Sequence, residues 1–271
     1  MQLIDLKKQQ EVIRDKLDRR LSDVLNHGRY IMGPEVDELE EKLAKYVGVQ
    51  HCISCSSGTD ALLIPLMAMG IGPGDAILTT PFTYIATAEV IRLVGATPVF
   101  VDIDPDTFNI NPDLIPEAVQ FALRKGLNPK VIIPVDLFGF PADYEKIEKY
   151  ANENDLLILE DAAQGFGGSI NEKKAGSFGN VAATSFFPAK PLGCYGDGGA
   201  IFTDDYDLAQ IMFSIRVHGS GTDKYDNVRL GINGRLDTLQ AAVLLEKLTI
   251  FPDEIIKRNK VAQYYSLNMQ E

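Results

Sequence analysis

Long apolar runs are missing from the 271 residues: no hydrophobic stretch approaches the roughly 20 residues that a membrane helix needs. The opening MQLIDLKKQQEVIRDKL is amphipathic and lacks the form of a secretory signal, so the sequence predicts a cytoplasmic protein. Positive charge is short as well, with 26 Lys and Arg against 38 Asp and Glu and a formal net charge of −12. Such a balance excludes a general role on nucleic acid or on an anionic membrane surface, and any phosphate must be held by a local site. Cysteine is scarce: Cys52, Cys55 and Cys194 are too few for a disulfide framework and fit a reducing compartment. Cys52 and Cys55 form a lone C-x-x-C beside His51 with no second ligand pair. Three residues apart on a strand they face opposite sides of a sheet, so no metal site is expected. There is no G-x-S-x-G elbow, and His27, His51 and His218 lie in separate segments with no nucleophile beside them. Gly70-Ile71-Gly72-Pro73-Gly74 follows a helical pattern and precedes a strand, the reverse of the order a dinucleotide loop requires.

What the sequence does contain is alternation. Seven short apolar runs bounded by turn residues, at 51–55, 76–80, 98–102, 131–136, 156–160, 181–187 and 200–203, predict buried strands. Helical patterns at 59–69, 85–94, 113–125 and 142–154 lie between them, which predicts an α/β fold with parallel strand pairing. Two more helical stretches, 9–26 and 35–46, come before the sheet and are joined by the turn-prone segment 28–34. At the far end, 236–248 and 253–268 read as two helices divided at Pro252, which interrupts the helical hydrogen bonding. No internal repeat or strand-rich second unit is visible. The division expected is a large domain over 1–250 and the start of a second over 251–271.

In open α/β sheets ligands gather beyond the carboxyl ends of strands, and three polar clusters sit at such ends. Ser56-Ser57-Gly58-Thr59-Asp60 follows the first strand and opens a helix. Its free N–H groups make an anion site, although a plain N-cap explains the same residues. Glu160-Asp161-Ala162-Ala163-Gln164 ends an apolar strand. Asp161 and Gln164 have the spacing of a capping box. A carboxylate so placed also holds a pyridine nitrogen protonated, which is what makes pyridoxal phosphate (PLP) an electron sink, and Gln164 is then placed to donate to the ring oxygen. The third cluster runs from Thr184 to Gly193 and sets Lys190 between prolines in an apolar segment. Desolvation lowers a lysine's pKa, and the neutral amine is the form that attacks an aldehyde.

With its blocks SSGTDAL, TPFTYIATA, VDIDPDTFNI, EDAAQ, SFFPAKPLGCYGDGGA and GINGRLDTLQAA in order, the sequence resembles the DegT/DnrJ/EryC1/StrS family of sugar aminotransferases. The resemblance covers nearly the whole chain and implies the type I fold of PLP enzymes: a large, mostly parallel sheet with helices on both faces. It further implies that Lys190 is the Schiff-base lysine, that Asp161 pairs with the pyridine nitrogen, and that Gln164 contacts the cofactor oxygen. Gly58, Thr59 and Ser185 match phosphate-binding positions, and Tyr84 matches the aromatic that stacks on the ring. Asn233 matches a residue lent by the neighbouring subunit, which implies a homodimer with shared active sites. Within the family, the segments FFPAKPLGCYGDGG and YDNVRLGINGRLDTLQAA are most similar to enzymes that aminate C3 of a UDP-linked 2-acetamido-3-keto-glucuronic acid. Those enzymes serve surface polysaccharides such as lipopolysaccharide O-antigen, with glutamate giving the amino group and leaving as 2-oxoglutarate. Arg229 and Tyr30 are the expected substrate contacts, Arg229 because a guanidinium binds a sugar carboxylate in bidentate fashion. Family members are longer, with a small C-terminal domain that closes the active site and is largely absent here. The alternatives are therefore a truncated, non-catalytic PLP-binding protein, or a sugar dehydratase, in which a histidine stands where this sequence has Lys190.

Overall fold

The structure, a computed structural model, describes residues 5–223 and 225–269. The first four residues of the amphipathic start lie outside them, as do residues 270–271 of the expected second unit. Helix α1 (Leu6–His27) begins where the Asp5 carboxylate accepts from the Lys8 N–H, and it stops at Gly28, whose φ of 70° suits glycine. Helix α2 (Pro34–Val47) has a proline in its first turn, with Glu35 and Asp37 facing the positive end of the helix dipole. The chain then alternates through β1 (His51–Cys55), α3 (Gly58–Ala68), β2 (Asp75–Thr79), α4 (Ala86–Leu93), β3 (Thr97–Phe100), α5 (Ile115–Arg124), β4 (Asn128–Ile133) and α6 (Tyr144–Glu153). Next come β5 (Leu157–Asp161), the two-residue pair β6 (Ser169–Ile170) and β7 (Lys173–Lys174), then β8 (Val181–Ser185) and β9 (Gly199–Thr203). Two helices finish the described chain, α7 (Tyr206–Arg216) and α8 (Thr238–Asn268).

Every strand expected from the sequence joins one seven-stranded sheet, in the order β1-β9-β8-β5-β4-β2-β3. Pairing is parallel from β8 to β3, but β9 runs antiparallel to both β8 and β1, so parallel pairing fails at that one strand. The reason is local: no helix separates β8 from β9, and a chain that returns without a crossover pairs antiparallel. The sequence reading also did not single out α7, which the Asp205 carboxylate starts by accepting from the Leu208 N–H.

Helices cover both faces of the sheet. One face packs Ile53, Ile77, Val131 and Leu159 against α3, α4 and α7. On the other, α2 and α8 cover β1, β8 and β9, while α5 and α6 cover β2, β4 and β5. Cys52 and Cys55 fall into opposite clusters, as their spacing requires. The expected break at Pro252 is absent, and α8 runs through it as one helix. An interior proline costs about 3 kcal/mol. Against that, Phe251 is fully buried, stacks on Phe166 at 5.8 Å, and with Ile255 closes over Gly167, so packing on both sides of the proline holds the helix together. Among the described residues no helix is long and apolar enough to cross a membrane.

Candidate active site

At the carboxyl ends of β1, β2, β4, β5 and β8 lies a cavity of about 730 Å³. All three polar clusters open into it. Its phosphate-sized corner is made by the first turn of α3 and the end of β8. Ser57 caps the helix by accepting from the Asp60 N–H at 3.0 Å, which leaves the first N–H groups, those of Gly58 and Thr59, directed past the helix end. Gly58 is required there by space: a Cβ would stand 2.5 Å from Ser185 Cβ and 2.9 Å from its Oγ. The Ser185 hydroxyl and the helix N-terminus are thus held side by side.

Asp161 ends β5 in the floor of the cavity. Its backbone is fixed on both sides, N–H to Pro134 O at 2.9 Å and carbonyl from the Asp136 N–H at 3.0 Å. The capping box that the spacing of Asp161 and Gln164 offered as an alternative does not form: no helix follows, and residues 163–167 are turns. Asp161 Oδ2 accepts from the Thr87 hydroxyl at 2.9 Å and its Oδ1 from the Ala163 N–H at 3.2 Å. Burial pushes this carboxyl up, while the Thr87 hydroxyl, the Ala163 N–H and the charge of Lys190 pull it back down. Gln164 is fixed by its Oε1, which accepts from the Phe138 N–H at 3.2 Å, so its amide N–H groups are left for the cavity it lines.

Lys190 sits in a rigid loop. Its own N–H closes a turn on Phe187 O at 2.8 Å, and the Cys194 N–H closes the next on Phe186 O at 2.8 Å. No group among the described residues accepts a hydrogen bond from the Lys190 amine. Partial burial pushes its pKa down, and the Asp161 carboxylate opposes that shift, which places the two charges in one field. Tyr84 stands over the opening, 70% exposed.

Gly58, Thr59, Tyr84, Asp161, Gln164, Ser185 and Lys190 are therefore brought together. Tyr30, Arg229 and Asn233 are not. Tyr30 is half exposed beside the start of α8, where its carbonyl accepts from the Thr238 N–H. Arg229 and Asn233 are exposed on the arm 217–233, which is tied by bridges between Val217 and Asn233 and between Ser220 and Asn227. Asn233 Oδ1 accepts from Arg235 Nε and Nη2 at 3.1 and 2.8 Å. The sequence reading missed Thr87, which bonds to Thr83 as well as to Asp161. Its signal was the four-residue spacing of two hydroxyls opening a helix, inside a block already noted.

The donor set fits PLP: an anion corner from which Cβ atoms are excluded, a buried carboxylate at the opposite end, an unbonded amine beside it, and an aromatic ring at the mouth. Comparison with known proteins agrees. Residues 11–271 match the model of the DegT/DnrJ/EryC1/StrS aminotransferase family. The chain is 52% identical, over 100% of its own length and 74% of the other's, to UDP-2-acetamido-2-deoxy-3-oxo-D-glucuronate aminotransferase of Pseudomonas aeruginosa. A crystal structure of a DegT DnrJ EryC1 StrS aminotransferase from Brucella abortus superposes with a TM-score of 0.96 at 55% identity, covering 98% of this chain and 71% of that one. NtdA from Bacillus subtilis with bound cofactor PMP superposes with a TM-score of 0.81 at 34% identity, over 89% of this chain and 53% of that one. Both the expected α/β fold of type I PLP enzymes and the cofactor are borne out. The chain belongs to the DegT/DnrJ/EryC1/StrS family and is a PLP-dependent sugar aminotransferase.

Proposed function

We propose that the chain moves an amino group from glutamate to C3 of a UDP-linked 2-acetamido-3-keto-glucuronic acid, in the cytoplasm, for surface polysaccharide such as lipopolysaccharide O-antigen. The observation that carries the reading is that Lys190 and the buried Asp161 carboxylate line one cavity. The name of the Pseudomonas aeruginosa relative supports the choice of sugar. When bound, PLP supplies an aldehyde to take up the amino group and a protonated ring to draw off electrons. The N–H groups of Gly58 and Thr59 and the Ser185 hydroxyl bind its phosphate. Asp161 keeps the proton on the ring nitrogen, and Gln164 donates to the ring oxygen. Tyr84 covers the ring and excludes water. Lys190, partly desolvated, is the base that takes and returns the proton at the carbon bearing the amino group.

A homodimer with shared sites belongs to the same reading. Asn233 and Arg229, exposed on their arm and outside their own cavity, complete the partner's site, Asn233 toward the phosphate and Arg229 toward the sugar carboxylate. Tyr30 is the remaining substrate contact. Beyond Phe251, α8 exposes Ile256, Val261, Tyr264 and Tyr265, which supports reading 251–271 as the start of a second unit that packs there. The test is release of 2-oxoglutarate from glutamate in the presence of the keto-sugar. We expect amino-sugar product from the wild type and none from Lys190→Ala. Turnover by the Lys190→Ala variant, or a deoxygenated product, refutes the reading.

A further inference from the structure

Directly behind Asp161 the sheet buries two more carboxyls, Asp136 and Glu160, both wholly shielded from solvent. Glu160 uses both of its oxygens, Oε1 accepting from the Gly176 N–H and Oε2 from the Phe178 N–H, each at 2.7 Å. Asp136 uses one: Oδ1 accepts from the Ala142 N–H at 3.1 Å and from the Tyr144 hydroxyl at 2.9 Å. Its Oδ2 is buried and receives nothing. The two carboxyls face each other, and no described salt bridge brings a cation to either; two carboxyls so placed in an apolar interior share a proton rather than both ionising. The oxygen without a donor is where it fits.

We propose that Asp136 and Glu160 share one proton, carried on Asp136 Oδ2, and that the pair is a positioning device for Gln164. The connection is steric and backbone-borne. A Cβ at Gly165 would stand 2.5 Å from Asp136 Cβ and 2.7 Å from its Oδ2, so the turn carrying Gln164 rests on this carboxyl. The Asp136 N–H also holds the Asp161 carbonyl, and two residues further on the Phe138 N–H holds the Gln164 amide. One proton keeps the pair at a single negative charge. A second charge would force two carboxylates apart in an apolar interior and would displace the turn with them.

Burial pushes both carboxyls up, Asp136 to about 7. The titratable groups that face the pair are Tyr144 from α6 and Asp161 from β5. An acid whose folded pKa is raised holds its proton in the folded chain after the unfolded chain has lost it. Its contribution to stability is therefore present below the ordinary carboxyl range and is lost as pH rises to about 7.

The inference rests on the cofactor site assigned to Asp161 and Gln164, so its first readout needs no cofactor. In the cofactor-free full chain, carboxyl ¹³C resonances are expected to include a pair that titrates together near neutrality. That pair should be absent from Asp136→Asn, in which the new amide donates to Glu160 at every pH. If all carboxyls titrate below about pH 5, in the ordinary range, no proton is shared. The second readout is the dissociation constant of PLP across pH 6 to 9. Wild type is expected to weaken about three- to tenfold more than Asp136→Asn over that range, roughly the worth of one hydrogen bond from Gln164. Glu160→Gln is expected to bind poorly throughout, because its NH₂ must face a backbone N–H. Equal pH dependence in wild type and Asp136→Asn overturns the positioning role. Asp136→Asn losing the cofactor while Glu160→Gln keeps it overturns the placement of the proton. A near-neutral pair without any PLP binding would leave the pair standing and count against the cofactor site instead.

Discussion

Replacing Gly58 with alanine separates the phosphate corner from the fold that builds it. The added methyl carbon would stand 2.5 Å from Ser185 Cβ and 3.2 Å from its Cα. Carbons rest about 3.5–4.0 Å apart, so the start of α3 and the end of β8 must part by roughly 1 Å. Gly58 is not among the glycines with positive φ, so alanine suffers no backbone strain, and it gains up to about 1 kcal/mol of helix propensity. Overpacking of this kind costs about 1–3 kcal/mol. The net loss of stability is therefore at most about 3 kcal/mol, a shift of no more than roughly 6–12 °C in Tm for a chain of this size. Phosphate binding is more sensitive. A 1 Å separation breaks at least one hydrogen bond to a charged oxygen, worth about 1.5–3 kcal/mol, so the affinity for PLP should fall about 10- to 100-fold. Calorimetric titration of the cofactor-free chain with PLP measures the second effect, and its thermal unfolding measures the first. An affinity within about threefold of wild type would refute the close approach of Ser185 to the helix N-terminus as the phosphate site.

Asp161→Asn keeps the shape, with its oxygen on the Ala163 N–H and its NH₂ donating to the Thr87 hydroxyl, but removes the charge. It should bind PLP and lose about 10²–10³ in the rate of amino transfer, measured by single turnover with glutamate. Lys247, fully buried on α8, donates to Gly193 O at 2.6 Å beneath the loop that carries Lys190, and burial pushes its pKa down to about 8. Because the unfolded chain then binds more protons between about pH 8 and 10.5, the wild type should gain up to roughly 3 kcal/mol over that window. Lys247→Met should lack the gain in urea unfolding at the two pH values, and equal slopes would show that the ammonium carries no such penalty.

Strand positions were legible because buried strands of an α/β sheet are short apolar runs with turn residues at both ends. The sequence does not say which strand pairs with which. The reversal of β9 follows from the absence of a crossover helix between Ser185 and Gly199, a segment rich in glycine and proline that reads as loop whichever way the chain returns. Pro252 misled for a related reason. Proline's cost is local and visible, whereas its compensation, Phe251 against Phe166 and Ile255 against Gly167, joins residues more than 80 positions apart. The capping box at Asp161 and Gln164 did not form because both side chains are committed to other strands' neighbourhoods, Gln164 Oε1 to the Phe138 N–H. The Asp161 carboxylate is taken by Thr87, from the helix after β2, and by the Ala163 N–H.

Candidate cofactor residues were legible and the surroundings of Asp161 were not, and one physical distinction accounts for both. Gly58, Asp161, Gln164, Ser185 and Lys190 stand at or just beyond strand ends, so each could be placed by counting from an apolar run. Thr87, Asp136 and Glu160 act through what they touch, and a buried acid beside a second acid looks in sequence like an ordinary polar residue at the end of a strand. Tyr30, Arg229 and Asn233 form a third class. They lie exposed and outside the cavity of their own chain, so neither strand counting nor the packing of one chain can assign them. If the substrate is read from Tyr30 and Arg229 while the cofactor's ring is held by strand ends, sugar choice and ring chemistry are mechanically separate. Changes at Arg229 can then alter which sugar is accepted without disturbing the Asp161, Gln164 and Lys190 geometry, since no described hydrogen bond joins Arg229 to those three side chains.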